Sequence, residues 1–148
     1  MIKKRDLKIL THLRVNARQK LTDISKNTGI PVSTIFDRIR HNENSVIKKH
    51  TSLLDFSKLG YQTRVNILLK TKKEQREKLN GFLSNHSSIN SAFKINQDFD
   101  FLIDCVFSNM KELEYFLEDL EEKFNIEKKQ VHHVIEDIKL ESFLSNLD

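Results

Sequence analysis

The sequence predicts an α+β chain: three helices in a winged helix-turn-helix arrangement, followed by a β-α-β-β-α-β unit. Three observations carry that prediction. Residues 21–41 read as two helices interrupted at Gly29 and Pro31. From Val65 onward, apolar residues switch between period-two and helical spacing. The charge is also divided. Residues 1–50 hold 12 Lys and Arg against 4 Asp and Glu, a balance of +8, whereas residues 51–148 hold 13 against 17, a balance of −4.

The elements follow in order. Leu10, Leu13 and Ala17 recur at helical spacing, with Ile9 and Leu13 one turn apart, so a first helix is expected to close at Asn16-Ala17-Arg18. Thr22 is the expected N-cap of a second helix containing Ile24. Gly29 suits the left-handed conformation that ends a helix, and Pro31 prevents continuation. Ser33 is the expected cap of a third helix, with Ile35 and Ile39 on its inner face. Thr51 to Tyr61 reads as a strand, a turn and a connector.

Val65, Ile67 and Leu69 then alternate as a strand. Leu79, Phe82, Leu83 and His86 mark one helix face, and Ile89, Phe93 and Ile95 a second strand. Asn96-Gln97-Asp98 suits a hairpin turn before the alternating run Phe99, Phe101, Ile103, Cys105 and Phe107. Leu102 and Val106 make the opposite face partly apolar, so both faces of this strand are expected to be covered. Asn109 and Glu112 form an Asn variant of the capping box, ahead of a helix carrying Leu113, Phe116, Leu117, Leu120 and Phe124. Val131 to Leu140 is the expected fourth strand. This order is the ferredoxin-like split βαβ arrangement. Its helices cover one sheet face, and a second copy of the same sheet is the simplest cover for the other. The expected domains are residues 1–50 for DNA binding, 51–61 as strand and linker, and 62–148 for dimerisation and effector binding.

Composition narrows the function. At 38% hydrophobic and 31% charged residues, the 148-residue chain can build a core and stay in water. No apolar run is long enough to span a membrane, and no signal-peptide core follows the basic start, so a cytoplasmic location is expected. The single cysteine, Cys105, excludes an internal disulfide framework and reads as a packed, inert thiol. His132 and His133 point to opposite faces of a strand, and His12, His41 and His50 lack ligand spacing. No metal or cofactor is therefore expected. The carboxylates Glu112, Glu114, Glu118, Asp119, Glu121 and Glu122 form an exposed helix face. Neither a phosphate-binding glycine loop nor a nucleophile-base-orienter set is evident, so no catalytic activity is expected.

A basic first domain on an acidic second one indicates that the first meets a polyanion. A helix-turn-helix presents the start of its second helix to the major groove. Ser33 and Thr34 suit phosphate or base-edge hydrogen bonds. Arg38, one turn on, suits a guanine or a phosphate, with Asp37 or Glu43 as its alternative partners. Arg40 and His41 suit the backbone, and Asp37 either accepts from a cytosine amino group or faces sideways. Thr22 offers a hydroxyl and a helix N-terminus to phosphate. Lys48 and Lys49 lie where a wing would.

Several segments carry a family resemblance in their order. They are Asp6-Leu7-Lys8-Ile9-Leu10, Asn16-Ala17-Arg18, Leu21-Thr22-Asp23-Ile24-Ser25, Ser33-Thr34-Ile35, Arg38-Ile39-Arg40, Val46-Ile47-Lys48-Lys49 and Leu59-Gly60-Tyr61. With the β-α-β-β-α-β unit behind them, they make the chain resemble the Lrp/AsnC, or feast/famine, family of prokaryotic transcription regulators over nearly its whole length. The resemblance implies binding of double-stranded DNA by the first domain. It also implies dimerisation through the sheet of the second, RAM-type domain, further assembly to tetramers or octamers, and an amino acid or other small-molecule effector. The effector turn of the family corresponds to Asn96, Gln97, Asp98, Phe99 and Asp100, where Gln97 stands in place of a glycine. Asn42 replaces the family's usual leucine and Ser45 its usual glycine, and the Pro-Gly before the last strand is replaced around Asn125-Ile126-Glu127. The leading expectation is a homodimeric, sequence-specific transcription regulator. Two alternatives stay open: an architectural, nucleoid-type DNA-binding protein, and a sirohaem-decarboxylase-like enzyme, which Arg64, His132 and His133 alone would support.

Overall fold

A computed structural model describes residues 1–147. The chain forms two compact units. One comprises Met1–Leu53 together with the stretch from Asp137 onward; the other is Leu54–Glu136.

The first unit holds α1 (Lys4–Val15), α2 (Leu21–Thr28) and α3 (Val32–Glu43). Ile9, Ile24, Ile30 and Ile35 are buried together, with Leu13, Leu21 and Ile39 packed around them. The inner face of α1 is Asp6, Ile9 and His12, and Ala17 lies beyond the helix end at Val15. Thr22 and Ser33 are not caps. Each is the second helical residue, after Lys20 and Pro31 at the N-cap positions, and neither of those caps with a side chain. The cause at α3 is Pro31. Its φ is already near the helical value and its missing N–H is no loss at a helix start, so the helix begins directly after it. Gly29 adopts φ +72° and closes α2, donating to the Ser25 carbonyl at 2.8 Å. The hydroxyl of Ser25 then donates to the Ile30 carbonyl at 2.6 Å, which fixes the turn into α3.

Asn42 ends α3. It is buried, its side-chain amide donates to the Arg38 carbonyl at 2.9 Å, and its own carbonyl accepts from Ser45, Val46 and Ile47. The strand expected within 51–61 does not form. A strand needs a neighbour, and the four strands of the sheet pair only with one another. This stretch instead carries a 3-10 turn, Phe56–Leu59, capped by Asp55 and closed by Gly60 at φ +96°.

The second unit contains β1 (Thr63–Thr71), α4 (Arg76–Asn85), β2 (Ile89–Lys94), β3 (Phe101–Phe107), α5 (Met110–Lys123) and β4 (Ile126–His133). The strand order is β2-β3-β1-β4, antiparallel throughout. Val65, Ile67, Leu69, Phe101, Ile103, Cys105 and Phe107 share one face and pack against Leu79, Leu83, Leu113, Phe116, Leu117 and Leu120 of the two helices. The capping box of α5 forms with a shift. Asn109 accepts from the Glu112 N–H at 3.0 Å, while the Glu112 carboxylate accepts from Ser108 rather than from Asn109.

The helices lie on one sheet face only, so the cover expected for the other face is not supplied by them. That face carries Arg64, Asn66, Leu68, Leu102, Asp104 and Val106, all half-buried. The Arg64 guanidinium donates to Asp104 at 3.1 and 3.3 Å, and Asn90 donates to the same carboxylate at 3.1 Å. The last strand runs over 126–133, not 131–140. Its partner β1 begins at Thr63, so the ladder is exhausted once the Val134 N–H has donated to Arg64. The chain then rejoins the first unit. Arg14 of α1 donates to the carbonyls of Phe143 and Glu141 at 2.9 and 2.8 Å, and its third nitrogen lies 3.3 Å from the Glu141 carboxylate.

Candidate nucleic-acid interface

Helix α3 has two faces. Ile35 and Asn42 are fully inside, with Arg38 and Ile39 half-buried beside them. Ser33, Phe36, Asp37, Arg40 and His41 are exposed, and Thr34 is half-buried at the edge. Thr22 is exposed in the first turn of α2. Lys48 and Lys49 are exposed on an irregular stretch rather than on strands of a wing.

Arg38 departs from expectation. Its Nε and Nη2 donate to the two carboxylate oxygens of Asp6 at 2.8 and 2.7 Å. The Asp6 side chain is only 3% exposed. The bidentate hydrogen bonding from Arg38 holds the Asp6 carboxyl below its usual range, against the opposing effect of burial. Arg38 therefore bolts α3 to α1 from the inner side, and its partner is neither Asp37 nor Glu43. Glu43 instead lies 3.2 Å from His50. Asp6 escaped the sequence analysis, although a carboxylate one turn before Ile9 on an inner helix face needs a buried partner.

Phe36 was also missed. It is 49% exposed, Val32 one turn earlier is 40% exposed, and the Arg40 guanidinium lies 5.7 Å from the Phe36 ring centroid. The available signal was position: Ile35 and Ile39 define the inner face, so the residue after Ile35 points about 100° away from it.

In the 96–100 hairpin, Gln97 takes φ +75° without being glycine. Asn96, Gln97 and Asp98 are exposed. Asp100 is engaged inside the fold. One oxygen accepts from the Thr71 N–H at 3.0 Å, and the other lies 3.1 Å from Arg76. No group of three His, Cys, Asp or Glu suited to a metal occurs among the described residues. None of the described helices is long and apolar enough to cross a membrane.

Comparison with known proteins agrees with this geometry. Residues 2–41 match the family model for winged helix-turn-helix DNA-binding domains. The chain is 34% identical over 114 residues to the HTH-type transcriptional regulator FL11 of Pyrococcus horikoshii, covering 76% of each protein. Its fold is similar to that of a transcriptional regulator of Neisseria meningitidis solved with L-methionine, with a TM-score of 0.85, 21% identity, and 95% and 94% of the two chains covered. It is likewise similar to E. coli AsnC, with a TM-score of 0.84, 18% identity, and 97% and 99% covered. With its helix-turn-helix, its four-stranded second unit and these relatives, the chain belongs to the Lrp/AsnC family of DNA-binding transcription regulators.

Proposed function

We propose that the protein reads DNA through the outward face of α3 and does so as a homodimer. The carrying observation is a coincidence: the exposed polar face Ser33, Asp37, Arg40 and His41 lies within residues 1–50, the part of the chain that holds the whole positive balance, +8. In this assignment Ser33 and Thr34 hydrogen-bond to base edges or phosphates, and Asp37 accepts from a cytosine amino group. Arg40, His41, Thr22, Lys48 and Lys49 meet the phosphate backbone. Arg38 acts from behind, keeping α3 at the pitch its neighbours need. The test is a gel-shift titration of the full chain on genomic fragments at several salt concentrations. Affinity is expected to fall steeply with salt. Absent or salt-independent binding refutes the assignment, and even coverage of the genome in a binding map would point to an architectural role instead.

The second copy belongs on the open sheet face. Leu68 lies opposite Leu102 and Leu102 opposite Phe93, an apolar row across three strands beside the Arg64–Asp104 pair. A self-complementary face of this kind suits a twofold dimer, and dimers are the unit for assembly into tetramers or octamers. Leu102→Lys is expected to shift the light-scattering mass to that of a monomer.

The Neisseria regulator was solved with L-methionine, and the family resemblance assigns the effector to the turn at 96–100, so that turn is where we propose an amino acid or other small-molecule effector would bind. Asn96, Gln97 and Asp98 are the groups offered there; Asp100 shapes the turn. We assign the protein no catalytic role and place it in the cytoplasm, where its DNA lies.

A further inference from the structure

We propose that Phe36 is a specificity-determining residue that reads thymine, its ring and the Val32 side chain receiving 5-methyl groups in the major groove. The inference rests on the assignment of α3 as the groove-facing helix. Phe36 belongs to no core cluster of the described residues, although the core of its unit, built on Ile9, Ile24, Ile30 and Ile35, lies on the other side of the same helix. An aromatic ring 49% exposed next to Val32 at 40% gives α3 an apolar patch in its first half. That is the end a recognition helix presents to base edges. Ser33 and Asp37 flank the patch with polar groups, so it is bounded rather than continuous with the core.

Only thymine carries an apolar group on its major-groove edge; the other bases offer hydrogen-bond donors and acceptors. Any other base under the ring would lose water from a polar edge and gain no partner for it. Arg40, one turn after Phe36, rests its guanidinium over the ring. This contact restrains the ring and holds a cation beside it, suited to the phosphate next to the base being read. The surrounding positive balance supplies the complementarity to a polyanion that a protein partner for this patch would not need.

The test uses the full chain and duplexes selected by it from a random pool. Each thymine of the selected site is replaced in turn by uracil, which deletes one methyl group and nothing else. Binding is expected to weaken about fourfold at one or two positions per half-site, the equivalent of one buried methyl. Phe36→Ala should bind the thymine and uracil duplexes equally, and Phe36→Leu should keep part of the preference. Equal binding of all thymine and uracil duplexes by the unaltered protein overturns the proposal, and this arm needs no variant to fold. A Phe36→Ala protein that keeps the thymine preference overturns it too, as does one that loses only its oligomeric mass, which would make the patch a contact between copies. Failure to select any duplex would instead overturn the DNA assignment of α3 on which the proposal stands.

Discussion

Asp6 is a carboxylate sealed beneath α3, and its two oxygens face two nitrogens of Arg38. Removing Arg38 leaves a buried carboxylate unpaired, and removing Asp6 leaves a half-buried guanidinium without its acceptor. Asp6→Ala and Arg38→Met are each expected to lower Tm by several degrees, with the double variant less damaged than the sum of the two, as a double-mutant cycle would measure. Because hydrogen bonding to Arg38 lowers the Asp6 pKa from 3.8, its contribution is complete above that value and is lost as pH falls through the lowered one. His86 works at milder pH. It packs edge-on to Phe116 at 4.9 Å, and burial pushes its pKa below 6.5, with Lys123 in the same direction and Asp119 opposing. The unfolded chain then takes up the proton more readily, so stability present above pH 6.5 declines below it. His86→Gln should flatten that part of the pH–stability curve. Burial pushes the Cys105 thiol up to about 12, so thiol reagents should label it only after unfolding. The buried position of the thiol was legible from alternation alone; the partner of Arg38 was not, because it lies 32 residues away and spacing along one helix says nothing about such a pair.

Among elements, the clearest sequence signals were those with one local cause. Gly29 ends α2 with φ +72°, and nothing lies within 4 Å of where its Cβ would be. Gly29→Ala therefore carries only the backbone penalty of the left-handed conformation, about 1 kcal/mol in urea unfolding. Asn109→Ala removes the cap of α5 and should cost a similar amount, about 1 kcal/mol. Elements that depend on a distant neighbour were misplaced. The start of β4, Ile-Glu-Lys-Lys-Gln, alternates too weakly to announce a strand, and its place is set by β1 beside it. The segment 51–55 has no strand to join among the described residues. Caps shifted for a smaller reason: side chains such as Thr22 and Ser33 advertise a helix start without fixing its first residue.

At the scale of the molecule, the division of charge and the β-α-β-β-α-β order are both legible in the sequence, because each sums over many residues. Leu102→Lys tests whether the half-buried sheet face is finished by a second chain. The two units should also be separable by substitution. Substitutions at Ser33 or Arg40 should change DNA affinity without changing light-scattering mass, and Leu102→Lys should change the mass first.

The contacts from Arg14 to Glu141 and Phe143 make the first unit discontinuous in the chain: it opens, the second unit is spelled out, and only then does it close. On a ribosome the strand-rich unit is thus written in full before the helical unit receives its final stretch. A stop after Glu136 would spare every strand and yet leave Arg14 without its three acceptors.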